Sequence, residues 1–212
     1  MPKSPLIIYN GAMIVDNCTG EFIQKNFFGS DVTELLEDLF ENGIYPIVYS
    51  FIEDIEKFSF IPEKCTEEVH RFLETRCGDQ RTRVVENKEQ LQDGEIFYIT
   101  CIDKEQKLAP LYDKYKDMHH CVFQKDIYTG DQWFEIMPKS ASKSNAIKQL
   151  QEKLGCDYLI VFGDGKNDVD MFEIADEAYA VENAVEELKA VATGIISSNN
   201  SDGVAKWLEK NY

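Results

Sequence analysis

Basic residues are scarce in this chain, histidine is scarcer, and no two cysteines stand at the spacing of a metal clip. Against 39 aspartates and glutamates the 212 residues set only 22 lysines and arginines, a formal charge of −17. Proteins that grip nucleic acid neutralise phosphates with clustered Lys and Arg, so this deficit excludes nucleic acid as a first expectation. The same argument excludes docking on an anionic membrane. A small anionic substrate stays compatible, provided a metal ion supplies local positive charge. The six cysteines, at 18, 65, 77, 101, 121 and 156, include no C-x-x-C pair, and His70, His119 and His120 do not join them at zinc spacing. Scattered cysteines without a signal peptide read as buried thiols of a cytoplasmic protein. Long apolar runs are missing too: those around residues 45–52 and 158–162 fall far below the roughly 20 residues of a bilayer span. What is present is an ordinary core supply, 43% apolar and 12% aromatic, in a length that suits one large domain or two small ones.

Along the chain, PLIIYNGAMIV (5–15) reads as an apolar run, an Asn-Gly turn and a second apolar run. Val32, Leu35, Leu36, Leu39 and Phe40 recur at helical spacing, with Asp31 as the expected N-cap, Gly43 as the stop and a strand over 45–52. The middle predicts helices over 66–76 and 104–118 and strands over 81–85, 95–102, 121–125 and 133–137. This irregular succession suits an α+β module. Near residues 137–142 the grammar changes to regular alternation. Ser142 caps a predicted helix, Lys143–Leu154, that Gly155 ends. A short apolar strand over 158–162, expected to be buried on both faces, leads into GDGKND. Helices and strands then alternate to a last helix near Asp202, as in a parallel, Rossmann-like half with its functional loops at the strand ends.

GDGKND carries the strongest chemical signal. Its glycines would let the backbone turn sharply, and Asp164 and Asp168 offer hard carboxylate oxygens of the kind Mg²⁺ prefers. The plain alternative is that these acids only cap a helix in a tight turn. Lys143 opens the preceding helix, either as a cation pairing with a carboxylate and a phosphate oxygen or as an exposed helix lysine. Asn183 bonds a nearby loop or, the more ordinary role, caps the helix after it. Tyr49, His119 and His120 could face a pocket, although such residues more often simply pack.

Four segments in order, EIMPKSASKSNAIKQL, YLIVFGDGKNDVDMFEIAD, AYAVENAVEELKAVAT and SSNNSDGVAKWL, resemble the haloacid dehalogenase superfamily, specifically its Cof-type phosphatases with a large inserted cap. PLIIYNGAMIVDNCTG is similar to that family's third core strand and the hairpin leading to the cap. The resemblance implies an α/β protein, an incomplete Rossmann-like core with an inserted α+β cap. The division is 1–24 for the N-terminal core strand and hairpin, 25–131 for the cap and 132–212 for the C-terminal core. It implies a Mg²⁺-dependent phosphohydrolase of small phosphorylated metabolites, sugar phosphates above all. Asp164 and Asp168 would hold the metal, Lys143 would stabilise charge and Asn167 would lie beside the substrate phosphate.

The chain departs from the family pattern at its start. Members begin with a strand ending in DxDGT, which supplies the nucleophile and the general acid/base, and no such strand precedes Pro5. Asp168-Val169-Asp170 matches D-x-D by letter only. The expectation is therefore weak Mg²⁺ binding and no turnover by this chain alone; the other reading is a non-catalytic module binding a metabolite or a protein, and a third is complementation by another chain. Two strands would also be missing beside residues 6–9 and 158–162. Exposed strand edges recruit partners, so the gap is expected to close directly or to pair two chains as a homo-oligomer.

Overall fold

The computed structural model describes residues 4–126 and 129–212, folded into three sheets. In the first, β1 (Leu6–Ile8), β2 (Met13–Val15) and β3 (Phe22–Lys25) pair antiparallel in chain order. The Asn-Gly signal is realised as a tight turn with Tyr9 and Asn10 at φ 52° and 50° and Gly11 at 103°. A Cβ on Gly11 would collide with the backbone carbonyl of Ser142, so glycine here lets the turn sit against the start of a helix far along the chain.

The second sheet has six strands. Its elements are α1 (Val32–Glu41), β4 (Ile47–Ile52), β5 (Ile55–Phe60), α2 (Glu67–Glu74), β6 (Thr82–Val84), β7 (Glu95–Asp103), α3 (Glu105–Tyr115), β8 (His120–Lys125) and β9 (Gln132–Met137), and the strand order is β6-β5-β4-β7-β9-β8. Side chains alternate across a strand, which gives each face its own core. On one face Leu36 and Leu39 of α1 and Leu108 of α3 pack with Ile99 and Phe134. On the other, Val69 of α2 and Ala12 and Met13 of the hairpin pack with Tyr49, Phe97 and Met137. Thr66 caps α2 by accepting from the Val69 amide at 3.2 Å. Asp31, expected to cap α1, has helical backbone and no capping bond. The division at 131/132 is also corrected, because β9 lies inside the six-stranded sheet, bonded to β7 and β8. The chain leaves this sheet only at Met137, where the sequence grammar changes.

The third sheet is parallel. Its elements are α4 (Lys143–Leu154), β10 (Ile160–Gly163), α5 (Val169–Phe172), β11 (Glu177–Val181), α6 (Glu186–Val191), β12 (Gly194–Ile196) and α7 (Gly203–Asn211), with order β10-β11-β12. The signals of α4 hold in full: the Ser142 side chain accepts from the Asn145 amide, and Gly155 ends the helix at φ 63°. β10 is not buried on both faces as expected. Only Val161 is buried in it, because β10 is the sheet's edge and pairs with β11 alone among the described residues. Among the described residues β1 likewise pairs only with β2, and no backbone pairing there closes the space between β1 and β10. All six cysteines are free; Cys101 is buried, but Cys18, Cys77 and Cys156 are exposed, which corrects the expectation of buried thiols. Among the described residues no helix is long and apolar enough to cross a membrane.

Candidate active site

The loop after β10 and the first turn of α4 meet through Lys143. Its ammonium pairs with Asp168 Oδ1, and both side chains are largely withdrawn from solvent, 26% and 8% exposed. The second Asp168 oxygen accepts from the amides of Asp164 and Gly165, each at 3.1 Å. Charge-assisted bonds of this kind are stronger than neutral ones, and three on one carboxylate fix the loop. The glycines of the motif serve proximity and not, as expected, a sharp turn, since neither has a positive φ. A Cβ on Gly163 would stand 2.9 Å from Asp168 Oδ2 and 2.8 Å from the Phe172 ring.

Asp164 stands differently. Its side chain is exposed, and among the described residues Oδ2 meets only the Asn199 side-chain amide, at 3.5 Å, while its backbone carbonyl accepts from the Val185 amide at 3.0 Å. Asn183 bonds the nearby loop: its Oδ1 accepts from the Asn199 amide at 3.2 Å, and capping, the more ordinary role, is not the one it takes. Asn167 donates to Asn10 Oδ1 at 3.4 Å, and Asn10 in turn donates to the Tyr98 hydroxyl at 3.0 Å and to Glu135 Oε2 at 3.4 Å. Burial raises the Glu135 carboxyl above its ordinary range.

Three participants went unread in the sequence. Asn10 registered only as a turn residue, although its side chain bridges Tyr98 and the GDGKND loop. Asn199 lay in a polar run before the last helix. Asp170 accepts the Ser144 amide at 3.1 Å and so anchors the start of α4. Of the other candidates, His120 lines a cavity beside the loop, and burial lowers its pKa. His119 is buried against Phe28 and Tyr115, and Tyr49 is packed among Tyr9, Phe58 and Tyr98. Among the described residues no group of three or more His, Cys, Asp or Glu gathers as a metal site.

The family model described as haloacid dehalogenase-like hydrolase matches residues 2–208. A presumed phosphatase of Streptococcus pyogenes serotype M6 is 32% identical over 216 residues, which cover 97% of this chain and 74% of that protein. The 5-amino-6-(5-phospho-D-ribitylamino)uracil phosphatase of Bacillus subtilis is 25% identical over 226 residues, 97% of this chain and 78% of its own length. A solved haloacid dehalogenase-like hydrolase from B. subtilis shares the fold, with a TM-score of 0.76 at 20% identity over 100% of this chain and 80% of that one.

Proposed function

The chain belongs to the haloacid dehalogenase-like hydrolase family, and on that premise we propose that its residues form the phosphate- and cation-holding side of a phosphohydrolase of small phosphoesters, sugar phosphates among them. One observation carries the reading: the Lys143–Asp168 pair, held by two loop amides at the end of β10. A lysine fixed in this way supplies preorganised positive charge where a phosphoryl oxygen would develop negative charge. The Asn167 amide lies on the same loop and would orient that oxygen. The ring-and-polyol phosphate named for the B. subtilis relative is one candidate substrate.

The donor set fits a hard cation in part. Asp164 is exposed and offers carboxylate oxygens, whereas both oxygens of Asp168 already hold Lys143 and the loop. Mg²⁺ takes one or two carboxylates and keeps several waters, so Asp164 would be its direct ligand and Asp168 a neighbouring charge. When bound, the ion would neutralise phosphate charge. With one free carboxylate, its affinity for these residues alone is low.

Titration of inorganic phosphate with Mg²⁺, followed by calorimetry, tests the reading. Lys143→Ala should weaken phosphate binding by about 10- to 100-fold, the worth of one hydrogen bond to a charged group. Phosphate binding that is absent from the unsubstituted protein, or indifferent to Lys143→Ala, would sink it. Turnover of an aryl phosphate that disappears in Asp164→Ala would show instead that the site is catalytically complete.

A further inference from the structure

The turn between β1 and β2 touches both elements of the candidate site. Gly11 lies so close to the Ser142 carbonyl, one residue before Lys143, that a Cβ there would stand 2.2 Å from it. Its neighbour Asn10 bonds Asn167 on the GDGKND loop. The buried Asn26 side chain holds the turn itself, donating to the Gly11 and Ala12 carbonyls at 3.2 and 3.3 Å. The turn therefore links the six-stranded sheet to the two segments that carry Lys143 and Asn167.

The hydrogen bonds through Asn10 run in one direction. A carboxamide has a donor end and an acceptor end of nearly the same shape, and its partners decide which way it faces. On one side of Asn10 stand the Tyr98 hydroxyl, at 3.0 Å, and Glu135 Oε2, at 3.4 Å. A carboxylate only accepts, so Glu135 takes the Nδ2 end of Asn10. Tyr98 bonds the same carboxylate, which commits its hydroxyl proton and leaves its lone pairs for Asn10. Asn10 Oδ1 then faces Asn167, where it accepts from Nδ2 at 3.4 Å. The other end of the Asn167 amide is lodged against Gly165, where a Cβ would stand 2.6 Å from Asn167 Oδ1. A second N–H of Asn167 Nδ2 is left for another acceptor.

We propose that Asn10 and Glu135 are positioning residues for the phosphate site: ionised Glu135 sets the direction of the Asn10 amide, and Asn10 turns an N–H of Asn167, not its carbonyl, toward the phosphoryl oxygen. The inference rests on the phosphohydrolase reading, which puts that oxygen beside Asn167. Both residues act through Asn167. Protonation of Glu135 undoes the direction, because a carboxylic acid donates as well as accepts and Asn10 is then free to turn over. Burial raises the Glu135 carboxyl, and the titratable side chains facing it are the hydroxyls of Tyr98 and Tyr49.

The test uses sulfate, a tetrahedral dianion that, unlike phosphate, does not titrate between weakly acidic and neutral pH, followed by calorimetry in Mg²⁺ buffer. Asn10→Gly removes the amide without straining the backbone, since Asn10 has φ 50° and glycine adopts such values freely. It should weaken sulfate binding by about three- to tenfold. Glu135→Gln should weaken it by about threefold at neutral pH, because an amide at 135 accepts either orientation of Asn10 and lowers the competent fraction. Sulfate affinity of the unsubstituted protein should fall as pH drops through the raised Glu135 value, and the Glu135→Gln profile should be flatter. Both losses should vanish in an Asn167→Ala background, as a double-mutant cycle requires when one residue acts through another. Unchanged affinity in Asn10→Gly overturns the inference. So do losses that persist undiminished in the Asn167→Ala background, the result of a merely structural role. A Glu135→Gln profile parallel to that of the unsubstituted protein overturns the part assigned to Glu135. Sulfate binding that is absent, or indifferent to Lys143→Ala, removes the underlying phosphohydrolase reading and the inference with it.

Discussion

The six-stranded unit and the parallel unit are built from similar side chains, yet they close their cores differently. In the former, both faces of the sheet are covered, and Phe97, Ile99, Leu108 and Phe134 are fully buried. In the latter, Val161, Ala178 and Ala180 are buried, but Tyr158 and Ile195 remain 59% and 60% exposed. The difference follows from edges. The large sheet ends in short β6 and in β8, which α3 and the loop beside the candidate site flank. The parallel sheet presents β10 unpaired on one side, where neighbouring backbone and side chains would otherwise complete it. The candidate site sits where the two units meet, with its charged groups on the less enclosed one.

The largest effect that would sharpen this contrast is expected from Phe134→Ala. Removing a wholly buried ring between α3 and β9 should cost about 3–5 kcal/mol, read as a lowered urea midpoint by far-UV circular dichroism. Val161→Ala in the parallel sheet should cost only about 1.5 kcal/mol, at about 0.8 kcal/mol per buried methylene. If the two units unfold separately, each substitution should move only its own transition. An equal loss from both, in a single shared transition, would erase the contrast.

The smallest expected effect is a pH dependence from two buried groups of the six-stranded unit. Burial lowers the pKa of His119 below its ordinary 6.5, so the unfolded chain takes up the proton first and stability is lost as pH falls below 6.5. Glu135 has the opposite sign. Its folded pKa lies above the ordinary 4.5, so its contribution is present at or below 4.5 and is lost as pH rises through the raised value. Glu135→Gln should abolish that alkaline loss, and His119→Asn should flatten the acid limb, with urea midpoints measured from pH 4 to 8. A pH profile untouched by either change would assign the titration elsewhere.

The legible part of the molecule is the part governed by near neighbours. Ser142 and Gly155 bounded α4 because a cap and a left-handed stop each involve residues within four positions. Lys143, Asp164, Asn167 and Asp168 could be nominated together because GDGKND directly follows a strand and motif order carries the rest. Where local signals were weak, the pattern failed: β5, IEKFSF, follows the turn after β4 and went unmarked, and Asp31 had the right residue type without the geometry of a cap.

By itself, then, the sequence determined the limits of α4, the motif-bearing loop and the α/β class, since these follow from capping, turn preference and apolar periodicity. Only the tertiary structure decided that β9 belongs to the six-stranded sheet, that β10 is an open edge, and that Asn10 reaches Asn167 across 157 positions. Strand neighbours and bridging amides are chosen by which surfaces pack together, and no window of adjacent residues contains both sides of such a contact.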